Sequence, residues 1–345
     1  MSDKLVSIVM PAYNAADCIE ESVACILNQS YENIELIVVN DGSKDETGEI
    51  LQSLMLKDRR LKAINTKNGG PAKARNLALK HLSPESGYTM FADSDDYLAP
   101  DAVEYALRAA DFGADMVIFG YTILDAQGNE RNYCEKAQLL DRQSFKDSFA
   151  KLYTANLLNQ VWGKLYKSSI IRDNFIDFPD YRWGEDRFFV FDCIAKAKKL
   201  AILPECKYKY IMHEGESLIT KFYDKKFFVC KEIDKRVEAI CHELGISDEA
   251  PFKYMFSKSV FSCITNLYSS SCYMSEDGKR DVVREIITDP RVEARCKAAA
   301  GGFPTAFLNA CLRSGSVGLN LFVFHAVALI GEKAPALFIK LKHKK

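Results

Sequence analysis

At 345 residues the chain exceeds one ordinary domain and is long enough for two, each with its own buried core. Its 46 basic residues balance 47 acidic ones to a formal net charge of -1, which gives no electrostatic ground for a nucleic-acid partner. The 11 cysteines include no Cys-x-x-Cys pair, which argues against a zinc site or a disulfide framework and for reduced thiols in a cytoplasmic protein.

The N-terminal sequence MSDKLVSIVMPAYN does not resemble a signal peptide. Its apolar, β-branched run at 5–10 stops at Pro11, the pattern of a fully buried strand entering a loop. A helix is expected over 16–28, where Ile19, Val23, Ile26 and Leu27 recur at helical spacing and Asp17 and Glu20 sit near the positive end of the dipole. The stretch IELIVVN (34–40) reads as a second buried strand, closed by the turn signal Asp41-Gly42-Ser43. The cycle repeats with a helix at 47–57, a strand at 61–65, a helix at 72–81 and a short strand at 88–92. A helix at 101–112 and a strand at 116–121 continue it.

Strands alternating with helices predict an α/β fold, with right-handed crossovers, a mostly parallel sheet flanked by helices, and ligands at the carboxyl ends of the strands. Beyond about residue 217 the pattern changes, and 227–244 and 252–268 read as helices with no strands between them. The expected organisation is therefore an α/β domain at 1–216 followed by a helical region at 217–345.

Asp93-Ser94-Asp95-Asp96 follows the strand at 88–92 directly and carries the strongest chemical signal. Three carboxylates in four residues repel one another, and a hard divalent cation with oxygen ligands compensates them. A solvated turn or a helix cap before Asp101 is the competing explanation. A second acidic pair, Glu185-Asp186, lies in the run Trp183-Gly184-Glu185-Asp186-Arg187. Glu and Asp are favoured at any helix N-terminus, but a positioned carboxylate is also what proton removal from a sugar hydroxyl requires. Asp41 can accept from a base or ribose or simply make a turn. Arg75 can meet a phosphate or base or lie on the surface, and His213 is either a metal ligand or structural.

In order, the segments VSIVMPAYN, VNDGSKDET, GGPAKARNLAL, FADSDD and GEDR resemble glycosyltransferase family 2, the large inverting family with the GT-A fold. The resemblance covers residues 1 to about 215 and implies that 1–216 is a nucleotide-sugar-binding catalytic domain, with the helical region 217–345 facing an acceptor or a membrane. It implies that Pro11, Tyr13 and Asn14 line a nucleotide pocket, with Asp41 and Arg75 beside it and Asp93 and Ser94 near the ribose and donor sugar. By the same resemblance Asp95 coordinates Mn²⁺ or Mg²⁺, His213 completes that site, and Asp186, paired with Glu185, supplies the catalytic base. The implied donor is a nucleotide diphosphate sugar, most simply a UDP-sugar, and the acceptor a saccharide or lipid-linked saccharide in cell-surface polysaccharide synthesis. Pro71, Ala78 and Gly163 depart from the family's usual residues, Gly163 standing where asparagine is common.

Two alternatives compete. A sugar nucleotidyltransferase would carry a glycine-rich basic loop after the first strand, where this chain has Pro-Ala-Tyr-Asn, and a non-catalytic nucleotide-sugar-binding subunit would not need both acidic sites. The uncharged stretch 314–331 holds three glycines, two serines and Asn320, so a packed helix is expected there rather than a membrane span. The tail 333–345 mixes Leu337, Phe338, Ile339 and Leu341 with five lysines, which suits peripheral contact with the inner face of the cell membrane.

Overall fold

The computed structural model describes residues 3–212, 221–296 and 302–333. The chain divides into two compact units, residues 1–214 and 215–345. The first opens with β1 (Leu5–Ala12), α1 (Ile19–Leu27), β2 (Ile34–Asn40), α2 (Thr47–Lys57), β3 (Leu61–Asn65), α3 (Pro71–Leu79) and β4 (Ser86–Phe91). It continues through β5 (Tyr97–Leu98), α4 (Ala102–Ala110), β6 (Met116–Leu124), β7 (Glu130–Tyr133), β8 (Gln138–Asp141) and α5 (Arg142–Thr154). It closes with β9 (Lys164–Lys167), α6 (Ser168–Asp173), α7 (Glu185–Lys196) and β10 (Lys199–Ile211).

The sheet runs β3-β2-β1-β4-β9-β6-β10-β5, with β7 on β6 and β8 on β10. All seven residues of β2 are buried, as expected of a strand covered on both faces in a parallel sheet. The strands β3, β2, β1 and β4 are parallel to one another, and β6 is parallel to β10. Between these two parallel groups β9 pairs antiparallel with both β4 and β6, so the sheet is mixed.

The expected strands that begin the chain all form, but β5, β7, β8, β9 and β10 have no counterpart in the sequence reading. β5, β7 and β8 are two to four residues long, and β7 (ERNY) has no buried residue and hence no apolar stripe to betray it. β10 carries Pro204, and its register with β6 slips around Cys206, so its apolar period is broken midway.

The second unit is helical among the described residues: α8 (Lys226–Leu244), α9 (Ala250–Thr265), a 3₁₀ turn (Asn266–Tyr268), α10 (Glu276–Thr288), α11 (Pro290–Arg295), α12 (Thr305–Arg313) and α13 (Val317–Lys333). Phe252, Val260, Ile264, Val283, Ile286 and Phe324 form its core. Buried Asp234 pairs with Arg291 at 2.6 Å and Arg295 at 2.8 Å, fastening α8 to α11. α13 packs Leu321, Val323 and Phe324 inward and leaves Leu319, Phe322 and Leu329 exposed. Among the described residues no helix is long and apolar enough to cross a membrane. The tail lysines beyond residue 333 lie outside the described residues.

Candidate active site

Where β1 and β2 end, Pro11 pairs with Val39 and Ala12 with Asn40, and the Asp41 amide donates to the Ala12 carbonyl at 2.8 Å. Asp41 is buried, and its two carboxylate oxygens accept from the Gly69 and Gly70 amides at 2.8 and 2.7 Å. It therefore ties the end of β2 to the start of α3, and any contact with a ligand would use its remaining lone pairs. Gly42 is needed for this approach, since its φ is +72° and a Cβ there would stand 2.6 Å from the Asn68 nitrogen. Asn14, at φ +49°, donates its amide to Ser43 Oγ and accepts from the Lys44 amide, both at 2.9 Å, so the β1 loop is stitched to the β2 loop. Tyr13 beside it keeps 46% of its surface exposed, a ring held on an ordered loop and open to contact.

At the end of β4 the acidic cluster separates into different roles. Asp96 is buried, accepts from the Tyr208 hydroxyl at 2.7 Å and the Ile211 amide at 2.9 Å, and so locks the cluster to β10. Burial, with Asp93 and Asp95 adding their charge, pushes its carboxyl well above the usual range. Asp93, Ser94 and Asp95 are half-buried, and the Ser94 carbonyl accepts from Ser22 of α1 at 2.6 Å. The net negative field reaches Tyr210, whose hydroxyl is pushed up to about 12 by burial and then by Asp96, Asp93 and Asp95.

Arg75 joins the two acidic motifs. It lies in the second turn of α3, buried rather than on the surface, with Nη2 2.8 Å from Asp93 and Nη1 3.0 Å from Asp186 and 3.6 Å from Glu185. Burial disfavours its charge, but Asp186, Asp93 and Glu185 outweigh that and keep it protonated. Phe178 lies under the guanidinium at 5.5 Å, and Asn76 exchanges two 2.8 Å hydrogen bonds with the Phe178 backbone.

Glu185 and Asp186 open α7. Asp186 accepts from the Val161 amide at 3.2 Å as well as from Arg75. Burial pushes the Asp186 carboxyl up, and Arg75 offsets only part of that shift. Burial, then the neighbouring Asp186 charge, pushes Glu185 up to about 7. Asp186 thus combines 19% side-chain exposure with a raised proton affinity and a fixed partner in Arg75.

In the loop that supplies Val161 the sequence reading singled out only Gly163, as a departure from the family's usual residue, and assigned the loop no part in the site. Trp162 stacks on Tyr208 at 4.5 Å and 5° and on Tyr210 at 5.7 Å and 13°. Buried Lys164 donates to the carbonyls of Gln160 at 2.6 Å and Trp162 at 3.2 Å, closing the loop from below. Gly163 has φ +69°, a left-handed backbone that glycine adopts freely and asparagine tolerates better than other side chains, so the asparagine that the resemblance places here would also fit. The sequence signal available was the aromatic and basic run VWGKLY, unreadable without knowing that β10 lies beside it.

The structure thus brings Arg75, Asp93, Glu185 and Asp186 into direct contact, with Ser94 and Asp95 adjoining them. Asp41 reaches the site through the start of α3, and Pro11, Tyr13 and Asn14 through the loop that meets Ser43. His213 lies outside the described residues. Among the described residues no three histidine, cysteine or acidic side chains are grouped to hold a metal ion.

A sequence model described as "Glycosyl transferase family 2" matches residues 7–175. A glycosyltransferase of Haemophilus influenzae without assigned activity is 33% identical over 201 residues, 58% of this chain and 75% of that protein. The chain belongs to glycosyltransferase family 2. A second relative, the glycosyltransferase GlyA of Streptococcus pneumoniae, is 30% identical over 229 residues, 62% of this chain but 31% of that protein. The crystal structure of TarS residues 1-349 from Staphylococcus aureus, in complex with UDP-GlcNAc, has the same fold, with a TM-score of 0.64 at 19% identity over 96% of this chain and 92% of that one. Asp41 and the Asp93–Asp96 cluster follow β2 and β4, at the carboxyl ends of strands where open α/β sheets bind ligands, and Arg75 joins to them the Glu185-Asp186 pair that opens α7.

Proposed function

We propose that the chain transfers a sugar from a nucleotide diphosphate donor, a UDP-sugar, to a hydroxyl of a growing saccharide or lipid-linked saccharide, with inversion at the anomeric carbon. The observation that carries this reading is the Arg75 bridge, which holds Asp93 of one acidic motif and Asp186 of the other on a single guanidinium. Two carboxylate groups with separate tasks are required, and they meet here from distant parts of the chain.

In this reading Tyr13, Asn14 and Pro11 flank the base, Asp41 fixes the loop beside it, and Asp93 and Ser94 face the ribose and donor sugar. The carboxylates of Asp95 and Asp93 are hard oxygen donors, and a divalent cation such as Mn²⁺ or Mg²⁺ would relieve the acidic field that, after burial, pushes Asp96 and Tyr210 up. Such a cation would supply charge compensation for the departing diphosphate. Asp186 takes the proton of the acceptor hydroxyl as that oxygen attacks the face opposite the leaving group. Arg75 orients Asp186 and keeps it ionised until the hydroxyl arrives. No enzyme nucleophile is needed for a single displacement.

Support for the donor class comes from relatives. TarS, the Staphylococcus aureus protein named poly(ribitol-phosphate) beta-N-acetylglucosaminyltransferase, is 25% identical over 231 residues, and its structure was solved with UDP-GlcNAc. That name also supports a place in cell-surface polysaccharide synthesis, and the free cysteines suit a cytoplasmic setting. The deciding experiment is a thermal-shift screen of nucleotide sugars with Mn²⁺, followed by donor hydrolysis and transfer assays on the binder. A true donor raises the melting temperature by mass action, and a protein that neither binds nor cleaves any sugar nucleotide ends the proposal.

A further inference from the structure

The second unit carries a groove of about 550 Å³ between α10, the 3₁₀ turn and α13, a size suited to a small organic group. Its floor is built. Tyr268 donates to the Leu321 carbonyl at 2.8 Å, His325 stacks on the Tyr268 ring at 4.4 Å and 3°, and Lys279 Nζ stands 5.3 Å from the same ring. One wall is cationic: Lys279 and Arg280 outnumber Glu276, which pairs with Lys279 at 2.8 Å. Arg280 is exposed beside them.

The opposite wall is apolar and open. Phe322 and Leu329 line the groove and remain 75% and 38% exposed, and Leu319, on the same side of α13, is 42% exposed. Positions 319, 322, 326 and 329 recur at helical spacing, so they form one face, on which Ala326 is also exposed. No charged residue interrupts α13 between Val317 and Gly331. An aromatic and aliphatic face left in solvent and edged by cations is uncommon on a soluble monomer and marks an interaction surface.

We propose that this face rests on an anionic lipid bilayer, with Phe322 and Leu329 entering the acyl boundary while Lys279 and Arg280 meet lipid phosphates in the groove. Charge complementarity selects this occupant: an apolar protein partner would be met by apolar side chains on both walls, whereas a headgroup boundary presents phosphate and hydrocarbon side by side, as the groove does. The proposal stands independently of the transferase chemistry, because it uses none of the residues of the catalytic reading.

The test is co-sedimentation of the full chain with phosphatidylglycerol vesicles, against phosphatidylcholine vesicles, at low and high salt. Expected are binding to the anionic vesicles only, loss of binding at high salt, a roughly fivefold weaker partition for Arg280→Gln, and at least about tenfold weaker for Phe322→Ser. Both side chains are exposed, and unchanged melting curves for the variants verify that each still folds. Equal binding to both vesicle types, no sedimentation, or partition unaffected by either substitution overturns the proposal. So do a dimer in vesicle-free solution that Phe322→Ser dissociates, which makes the face a self-interface, and displacement from vesicles by millimolar inorganic phosphate, which makes the groove a small-anion site.

Discussion

Arg75 donates to Asp186, 111 residues further along the chain, at 3.0 Å. The contact brings α3 against the first turn of α7, and the other guanidinium nitrogen of the same residue holds Asp93 at 2.8 Å. A planar guanidinium can serve two carboxylates in fixed directions, and a lysine ammonium at the end of a shorter reach cannot.

Arg75→Lys is therefore expected to retain the charge and lose the geometry. A displaced base costs on the order of 10²-fold in kcat. Looser pairing also leaves less positive charge against Asp186, whose carboxyl is already raised by burial, so the acid limb of the kcat–pH profile moves to higher pH. Steady-state kinetics across pH measure both effects, and a variant with an unmoved acid limb would show that Arg75 does not act on the base.

Asp186 and Asp95 are expected to fail differently. Asp186→Asn keeps the shape of the side chain but cannot accept the proton, so kcat falls by roughly 10²- to 10⁴-fold while donor affinity stays. Asp95→Ala weakens donor binding together with its dependence on added Mn²⁺. Calorimetric titration of the donor with and without EDTA separates the two, and donor affinity indifferent to both chelation and Asp95→Ala removes the cation from the site.

Much of this arrangement was legible in the sequence. The buried strands at β1 and β2 announce themselves by uninterrupted apolar runs, Asp41 and Asp93 follow predicted strands, and Glu185 and Asp186 sit at the helix start that their acidic pair suggested. Illegible were the contacts that cross the sheet. Tyr208 supports Asp96 from a strand whose apolar period is broken at Pro204 and Cys206, and Trp162 gains its meaning only from stacking on that strand. Arg75 read equally well as a surface cation, since sequence spacing alone does not say that three carboxylates converge on it.

Gly163 offers a test of backbone control. At φ +69° a β-branched side chain pays about 1–2 kcal/mol in steric strain, whereas asparagine tolerates the conformation. Gly163→Val should lower the melting temperature and, through the Val161 amide on Asp186, depress kcat. Gly163→Asn should approach wild type in both. Equal behaviour of the two variants would show that loop conformation does not govern the base.

In the second unit, Asp234 neutralises Arg291 and Arg295 while 4% exposed. Asp234→Ala leaves the two guanidinium groups with Glu238 and, for Arg295, the more distant Glu249 at 3.8 Å, and removing one partner of a buried ion pair costs about 3–5 kcal/mol. Chemical denaturation should show that loss in the unfolding of the helical unit. A change within experimental scatter would mean that α11 is held by its apolar side chains alone.

Lys164 gives the stability of the first unit a pH dependence of definite sign. Burial lowers its ammonium from the ordinary 10.5 to about 7, with only Asp186 opposing the shift. Between these values the unfolded chain binds a proton that the folded chain does not, so stability rises as pH increases through the window, and below about 7 both states are protonated and the burial cost is present in full. Lys164→Met cannot titrate, so the melting temperature of wild type should climb relative to the variant from pH 7 to 10. The variant also loses the donors to Gln160 and Trp162, so its kcat should fall even where its stability is equal or higher. Parallel melting curves for the two proteins across that range would show that Lys164 keeps its proton in the fold, held there by Asp186 and the two carbonyls.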